Sequence, residues 1–405
     1  LSNKGPLSVY KGLPRGIYII FISRIIDNMG SVVMPMITLI LTQKIGLQKD
    51  ITGILATVFM VTQAPFLLLG GRLVDRMGSK KVIVLFNTLG ALAYIPCGFM
   101  KPSIGMALLI ALAANLFAVA APAYNSIVIE LVGEDKIKSA YSILFLGYNL
   151  GLAIGPAIGG MLFNKYLQAL FFIDAITCLI SVVLVYFYVP DNSLKKKTGS
   201  AFKLNESALR LIFKSPMLIV FSILLLGYNF CYSQWGFMLP LQSASLFLEN
   251  GAKYYSILVS VNAVCVILFT PILTHLTQKF RPLSVVTIGG LFYMLSFLIF
   301  AEGKILFIFI VSAAIMTIGQ ILININVNIY IAQQVPQAYI GRANSVLSIV
   351  NGAGVAVGPV IMGYVLLRIS YETAWFIVAG LMLLGSLGMF ALNARRYHFL
   401  KANNH

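Results

Sequence analysis

Residues 139–160, SAYSILFLGYNLGLAIGPAIGG, align without a gap on residues 342–363, RANSVLSIVNGAGVAVGPVIMG, at an offset of 203. Nine of the twenty-two positions coincide, among them Gly151/Gly354, Gly155/Gly358, Pro156/Pro359 and Gly160/Gly363. The same offset carries Leu73-Val74-Asp75-Arg76-Met77-Gly78 onto Leu276-Thr277-Gln278-Lys279-Phe280-Arg281. Two distant segments in one register identify a parallel duplication. Around them, apolar stretches of spanning length recur at 16–41, 51–72, 82–100, 104–130, 139–164, 168–189, 217–242, 253–276, 283–301, 304–333, 340–367 and 371–394. A crossing of a ~30 Å hydrocarbon core takes about 20 apolar residues, so these read as twelve helices. The expected fold is an all-α membrane protein of twelve transmembrane helices in two six-helix pseudo-symmetric bundles.

Composition agrees with life in lipid. Of 405 residues, 59% are hydrophobic and only 10% charged, and the mean hydropathy is +0.92. A soluble domain carries about a quarter of its residues charged. The net charge of +17 would suggest nucleic acid in a soluble protein, but here it follows the preference of Lys and Arg for cytoplasmic loops. Threading the loops from an inside N-terminus puts 21 of the 29 basic residues on one side and seven on the other, with Arg24 inside a span. Both termini are therefore expected in the cytoplasm, in a multi-pass protein of the cell membrane. The first residues carry Lys4, Lys11 and Arg15 ahead of an apolar run without a small-residue cleavage site, which reads as a retained first span. Cys97, Cys178, Cys231 and Cys265 lie singly in apolar runs and read as buried thiols, with no metal site expected.

The longest polar stretch, 190–216, contains Lys195-Lys196-Lys197 and falls between the sixth and seventh spans. It divides the chain into an N-terminal bundle (1–189), a cytoplasmic linker (190–216) and a C-terminal bundle with a short cytoplasmic tail (217–405). Residues 204–214 read either as an amphipathic piece on the anionic leaflet or as a plain tether.

Three sets of residues carry chemistry. After the second span the chain reads Gly70-Gly71-Arg72-Leu73-Val74-Asp75-Arg76-Met77-Gly78-Ser79-Lys80-Lys81. Glycines allow a tight turn and close helix approach, and Asp75 can accept hydrogen bonds from a neighbouring helix terminus. The fifth span supplies Gly151, Gly155, Pro156, Gly159 and Gly160; glycines four apart make a flat packing face and proline removes a backbone hydrogen bond, allowing a bend. The first span contains Arg24, Asp27, Asn28, Gly30, Ser31 and Pro35. Ten residues at ~1.5 Å each place Asp27 about 15 Å deep, near the midplane, where an ionisable group costs at least ~2.5 kcal/mol. Arg24 on the same helical face is either a static partner of Asp27 or part of a proton-handling group.

The loop resembles the signature loop of the major facilitator superfamily, with Ser79 where Arg is common. The resemblance implies a cytoplasmic conformational latch built from Gly71, Asp75, Arg76 and Gly78, with Glu130 and Arg342 as partners. The fifth span resembles the motif of antiporters and drug exporters. The first is similar to the F-x-D-x-x-G-x4-P pattern of twelve-helix drug:proton antiporters, with Thr38 in place of a second proline. What this implies is alternating access: one half rocks against the other about a central cavity lined by the first, fourth, seventh and tenth helices.

Further acidic residues in the spans are few. Asp174 in the sixth span is a second candidate for proton handling, alternatively a structural hydrogen-bonding group. The C-terminal half has no acidic residue deep in a span; Gln320, Asn324 and Asn328 recur every four residues, and Asn229, Tyr232, Ser233 and Trp235 mark the seventh span. With Asn28 and Asn115 these are candidate substrate contacts or plain interhelical hydrogen bonds. The fourth span offers Asn115 where drug:proton antiporters often carry Arg, and no histidine lies deep in a span.

The expectation is a monomeric secondary transporter driven by the proton gradient, without a further cofactor and without a nucleic-acid partner. It acts on small molecules in the lipid bilayer, with proton-coupled efflux of amphipathic or drug-like compounds as the leading reading. A symporter or facilitator for a sugar, peptide or other metabolite, a lipid flippase, and a non-transporting receptor are the alternatives. No nucleophile motif or phosphate loop points to an enzyme.

Overall fold

The computed structural model describes residues 10–132, 136–191, 216–334 and 340–403; at 138, 332, 340–351 and 396–403 the backbone alone is described. Its twelve long helices are α1 (Arg15–Gly30), α2 (Lys49–Met77), α3 (Ser79–Tyr94), α4 (Ile104–Leu131), α5 (Ile137–Leu162), α6 (Leu167–Tyr188), α7 (Pro216–Ser233), α8 (Gly251–Thr277), α9 (Pro282–Glu302), α10 (Leu306–Gln334), α11 (Ile340–Val365) and α12 (Tyr371–Asn403). Among the described residues nine stretches are long and apolar enough to cross a bilayer, one of them, Pro216–Thr277, containing both α7 and α8. Backbone hydrogen bonds closed within each helix are what allow a chain to lie in hydrocarbon. The linker 192–215, with its lysines and the amphipathic candidate 204–214, lies outside the described residues.

Two expected spans are not continuous. The first was expected over 16–41, but α1 stops at Gly30, and the chain resumes in a short helix Ile37–Leu39 that runs into a π turn, Ile40–Lys44. Pro35 explains part of this: it brings no N–H, and it disfavours helical geometry at Met34. Ser31, at φ −71° and ψ 71°, makes an inverse γ-turn in which the Val32 N–H donates to the Gly30 carbonyl at 2.7 Å. The seventh was expected over 217–242, yet α7 stops at Ser233 and a second helix begins at Met238. The helix ends Gly30 and Ser233 are 203 residues apart, so the break belongs to the duplicated unit.

By their contacts the residues group into two compact units, Leu1–Gly46 with Phe59–Phe202, and Leu47–Val58 with Lys203–His405. In the second unit the first turns of α2 pack on α11: the Thr57 hydroxyl donates to the Ala356 carbonyl, and the Lys49 ammonium lies 4.6 Å from the centre of the Tyr371 ring.

The glycines of α5 set how closely α1 approaches. A Cβ added at Gly151 would stand 2.6 Å from Asn28 Cβ and from the Ile25 carbonyl oxygen, and one at Gly155 would stand 2.7 Å from the carbonyl oxygens of Asn28 and Met29. In the second half a Cβ at Gly354 would stand 2.5 Å from the Leu226 carbonyl oxygen and 3.0 Å from Asn229 Cβ. Pro156 and Pro359 occupy the helix interiors beside them, and Gly159 and Gly160 are buried. Gly155→Ala is expected to destabilise the folded bundle by about 1–3 kcal/mol through overpacking. Gly227→Ala, at a glycine with nothing within 4 Å, is expected to be neutral or slightly stabilising; unfolding in detergent measures both.

Candidate functional site

Each unit carries a cavity of its own. The first, of about 310 Å³, is walled by Arg24, Asp27 and Ser31 of α1 and its break, Gln63 of α2, Asn87 of α3, Phe117 and Tyr124 of α4, and Asp174 of α6. Two carboxylates and one guanidinium thus share one small space inside a bundle. The Arg24 guanidinium lies over two tyrosine rings, 4.4 Å from the centre of Tyr124 and 5.5 Å from that of Tyr148. It forms no ion pair with Asp27 within 4 Å; cation–π attraction holds it in a setting where desolvation makes that attraction strong. The Cys178 thiol donates to the Asn87 carbonyl oxygen at 3.6 Å. Asn87 in turn donates from Nδ2 to the Tyr124 hydroxyl at 2.7 Å.

Asp174 is buried and accepts at Oδ2 from the Val33 N–H at 3.3 Å. The carboxylate therefore supplies an acceptor where α1 stops supplying its own. Asn28 is buried and turned to its own helix, donating from Nδ2 to the Arg24 carbonyl at 2.7 Å. Asn115 lies outside the lining of both cavities, and its Oδ1 is buried without a hydrogen-bond partner.

The second cavity, of about 190 Å³, brings together Asn229 and Tyr232 of α7 with Gln320, Asn324 and Asn328 of α10, joined by Tyr228 and Tyr293. Its lining carries no charged side chain. Gln320 Nε2 donates to the Tyr232 hydroxyl at 3.0 Å, while its Oε1 accepts from Asn262 Nδ2 at 2.8 Å. Asn262 also donates to Thr317 Oγ1 at 2.8 Å, and the rings of Tyr232 and Tyr293 stack at 5.9 Å. Trp235 is not part of this cavity: it is buried, with the rings of Tyr255 and Phe300 at 6.4 and 6.5 Å.

At the end of α2, Asp75 and Arg76 are exposed, and among the described residues Asp75 has no hydrogen-bond partner. Gly71 faces open space, whereas Gly70 abuts the Val119 carbonyl on α4. Gly78, at φ 85°, takes a backbone geometry that suits glycine and begins α3. The contacts across this end are made by the next residues: Ser79 Oγ donates to Glu130 Oε1 at 2.5 Å, and Lys80 Nζ to the Val189 carbonyl at 2.6 Å. The Arg342 side chain lies outside the described residues. On the opposite loop, Lys44 donates to the Asn164 carbonyl at 3.2 Å, and partial burial lowers the pKa of its amine from the ordinary lysine value.

Sequence reading did not single out Gln63, Asn87, Tyr124, Tyr228, Asn262 or Tyr293. Tyr228 and Tyr232 carried a signal, being four apart on one face, and Asn87 is a lone amide in an apolar span; Asn262 had none. Asn262→Leu is expected to lower stability in detergent by about 1–3 kcal/mol, because Gln320 and Thr317 lose a buried partner together.

A family model described as Major Facilitator Superfamily matches residues 19–249 and 246–404. A "Na(+), Li(+), K(+)/H(+) antiporter" of Planococcus maritimus is 22% identical over 375 residues, covering 85% of this chain and 86% of the relative. "Multidrug resistance protein MdtH" of Blochmanniella floridana is 25% identical over 289 residues, covering 67% and 68%. Among solved structures, that of the nucleoside transporter NupG superposes with a TM-score of 0.80 at 16% identity, over 94% of this chain and 99% of that one.

Proposed function

Since this chain belongs to the Major Facilitator Superfamily and is a membrane transporter, we propose that it is a secondary active transporter that exports amphipathic or drug-like small molecules in exchange for protons. The observation that carries the reading is the first cavity. Asp27 lies about 18 Å along α1 and faces a polar space that it shares with Asp174 and with Arg24, whose guanidinium lies over the rings of Tyr124 and Tyr148. An ionisable group kept at that depth carries a cost that a transport role accounts for. On this reading Asp27 takes up a proton from outside and releases it inside, as the two halves alternate between outward- and inward-open states. At ~150 mV one charge moved inward is worth about 3.5 kcal/mol, which sustains a gradient of roughly 300-fold for a neutral substrate. Relatives named as a multidrug resistance protein and as a cation/proton antiporter support the direction of this reading.

A second reading, a symporter or facilitator for a neutral metabolite, is favoured by the second cavity, whose amides and tyrosines offer hydrogen bonds without charge. Transport in proteoliposomes under an imposed pH gradient separates the two, using tetraphenylphosphonium, chloramphenicol and glucose as probes. Gradient-driven accumulation of the first or second, lost at least tenfold in Asp27→Asn, is the expected result. Unchanged flux in that variant would remove Asp27 as the coupling residue, and accumulation of glucose alone would establish the second reading.

A further inference from the structure

The break after α1 leaves backbone N–H groups without helical acceptors inside a bundle surrounded by lipid. There the Val33 N–H donates to Asp174 Oδ2 at 3.3 Å, beside the Val32 N–H, which donates to the Gly30 carbonyl at 2.7 Å. α6 is seated against this region around Asp174. Ser23 Oγ and Ser181 Oγ hydrogen-bond at 2.6 Å, and Gly30 rests on Thr177, whose hydroxyl a Cβ there would overlap.

The second half supplies an internal comparison. After α7 the N–H groups of Gln234, Trp235 and Gly236 go to carbonyls three residues back, at 3.3, 3.0 and 3.1 Å. The burial of 170, 171, 174, 175, 178, 182 and 185 on α6 recurs at 374, 375, 378, 379, 382, 386 and 389 on α12, which matches Asp174 to Val378. At Gln234, Trp235 and Gly236 the backbone supplies acceptors of its own, and no carboxylate stands at the position matched to Asp174.

We propose that Asp174 is a proton-binding clamp: as a carboxylate it fastens the break at 31–36 to α6, and on taking up a proton it lets that segment loosen. An ionised carboxylate accepts with both oxygens and strengthens each bond by its charge; protonation turns one oxygen into a donor and removes the charge. The segment carries Ser31 and Met34 into the wall of the cavity beside Asp27, so loosening it alters the surroundings of that residue. The groups facing Asp174 are Asp27 and Arg24 from α1, Tyr94 from α3, Tyr124 from α4 and Cys178 on its own helix. The clamp's part in transport rests on the proposed role of Asp27; the clamp itself does not.

Hydrogen–deuterium exchange of the full chain in lipid nanodiscs, from about pH 5 to about pH 10 and normalised to unstructured peptides, tests it without knowledge of the substrate. Protection of the amides of 31–34 and 36, Val33 foremost, is expected to fall roughly five- to tenfold as pH drops through the titration of the carboxylate, the difference between a charged and a neutral hydrogen bond. Asp174→Asn, which keeps an acceptor but cannot titrate, is expected to abolish the step, and Asp27→Asn to retain one. Protection independent of pH in the wild type, a step that survives Asp174→Asn, or an equal step at 234–237, which has no carboxylate, would each overturn the clamp. A step that persists while Asp27→Asn leaves gradient-driven flux intact keeps the clamp and removes Asp27 as the coupling residue.

Discussion

A backbone N–H within the hydrocarbon has no water to bond, and leaving one unpaired there costs several kcal/mol. The twelve long helices among the described residues are the direct response to that constraint, and it also governs the two places described where a span is interrupted. Each break follows the first helix of its half, at Gly30 and at Ser233, and each is roofed by a partner that lets the backbone come close. In the first half a γ-turn and a carboxylate receive the exposed donors; in the second, three successive backbone turns receive them. The duplication thus preserves where the chain breaks but not how the break is closed.

The same close approach depends on what is missing from α5 and α11. Gly151 stands against Ile25 and Asn28, and Gly354 against Leu226 and Asn229, so the contacts correspond at an offset of 201 while the glycines correspond at 203. The asparagines are matched in behaviour as well, each donating from Nδ2 to the carbonyl four residues back. Substituting these glycines would push the first helix of each half away from the glycine-proline helix, and with it the residues that wall the cavities.

What could be read in the sequence was what periodicity and composition encode: most of the spans, the duplication, and the polar residues Asn229 and Tyr232 on one helix and Gln320, Asn324 and Asn328 on another, which the second cavity brings together. The breaks in α1 and α7 were hidden because apolar runs continue through 31–41 and 234–242, and hydropathy does not distinguish an apolar helix from an apolar turn. Trp235 was grouped with Asn229 and Tyr232 as a residue of the seventh span, a grouping that holds only while the helix continues. The chain turns at 234, and Trp235 is carried into the aromatic core. Likewise only Asp27, on its own helix, was named beside Arg24, whereas the guanidinium also lies over rings from α4 and α5, a long-range pairing that no local pattern encodes.

In the register set by the glycine contacts, Arg24 corresponds to Leu225 and Asp27 to Tyr228, whose hydroxyl is bonded to Ser386 at 3.1 Å; Asp174 corresponds to Val378. The positions that are ionisable in the first half are therefore all neutral in the second, on matching stretches of backbone. Neutral residues at these places are compatible with the fold, so the cost of three ionisable groups within the bundle, Asp174 buried and Arg24 and Asp27 partly so, is carried by one copy for a reason other than folding. The proposed proton chemistry supplies that reason for Asp27 and Asp174. It leaves the second cavity, walled by amides and phenols, suited to recognition by hydrogen bonds whose strength does not change with the protonation of its own walls.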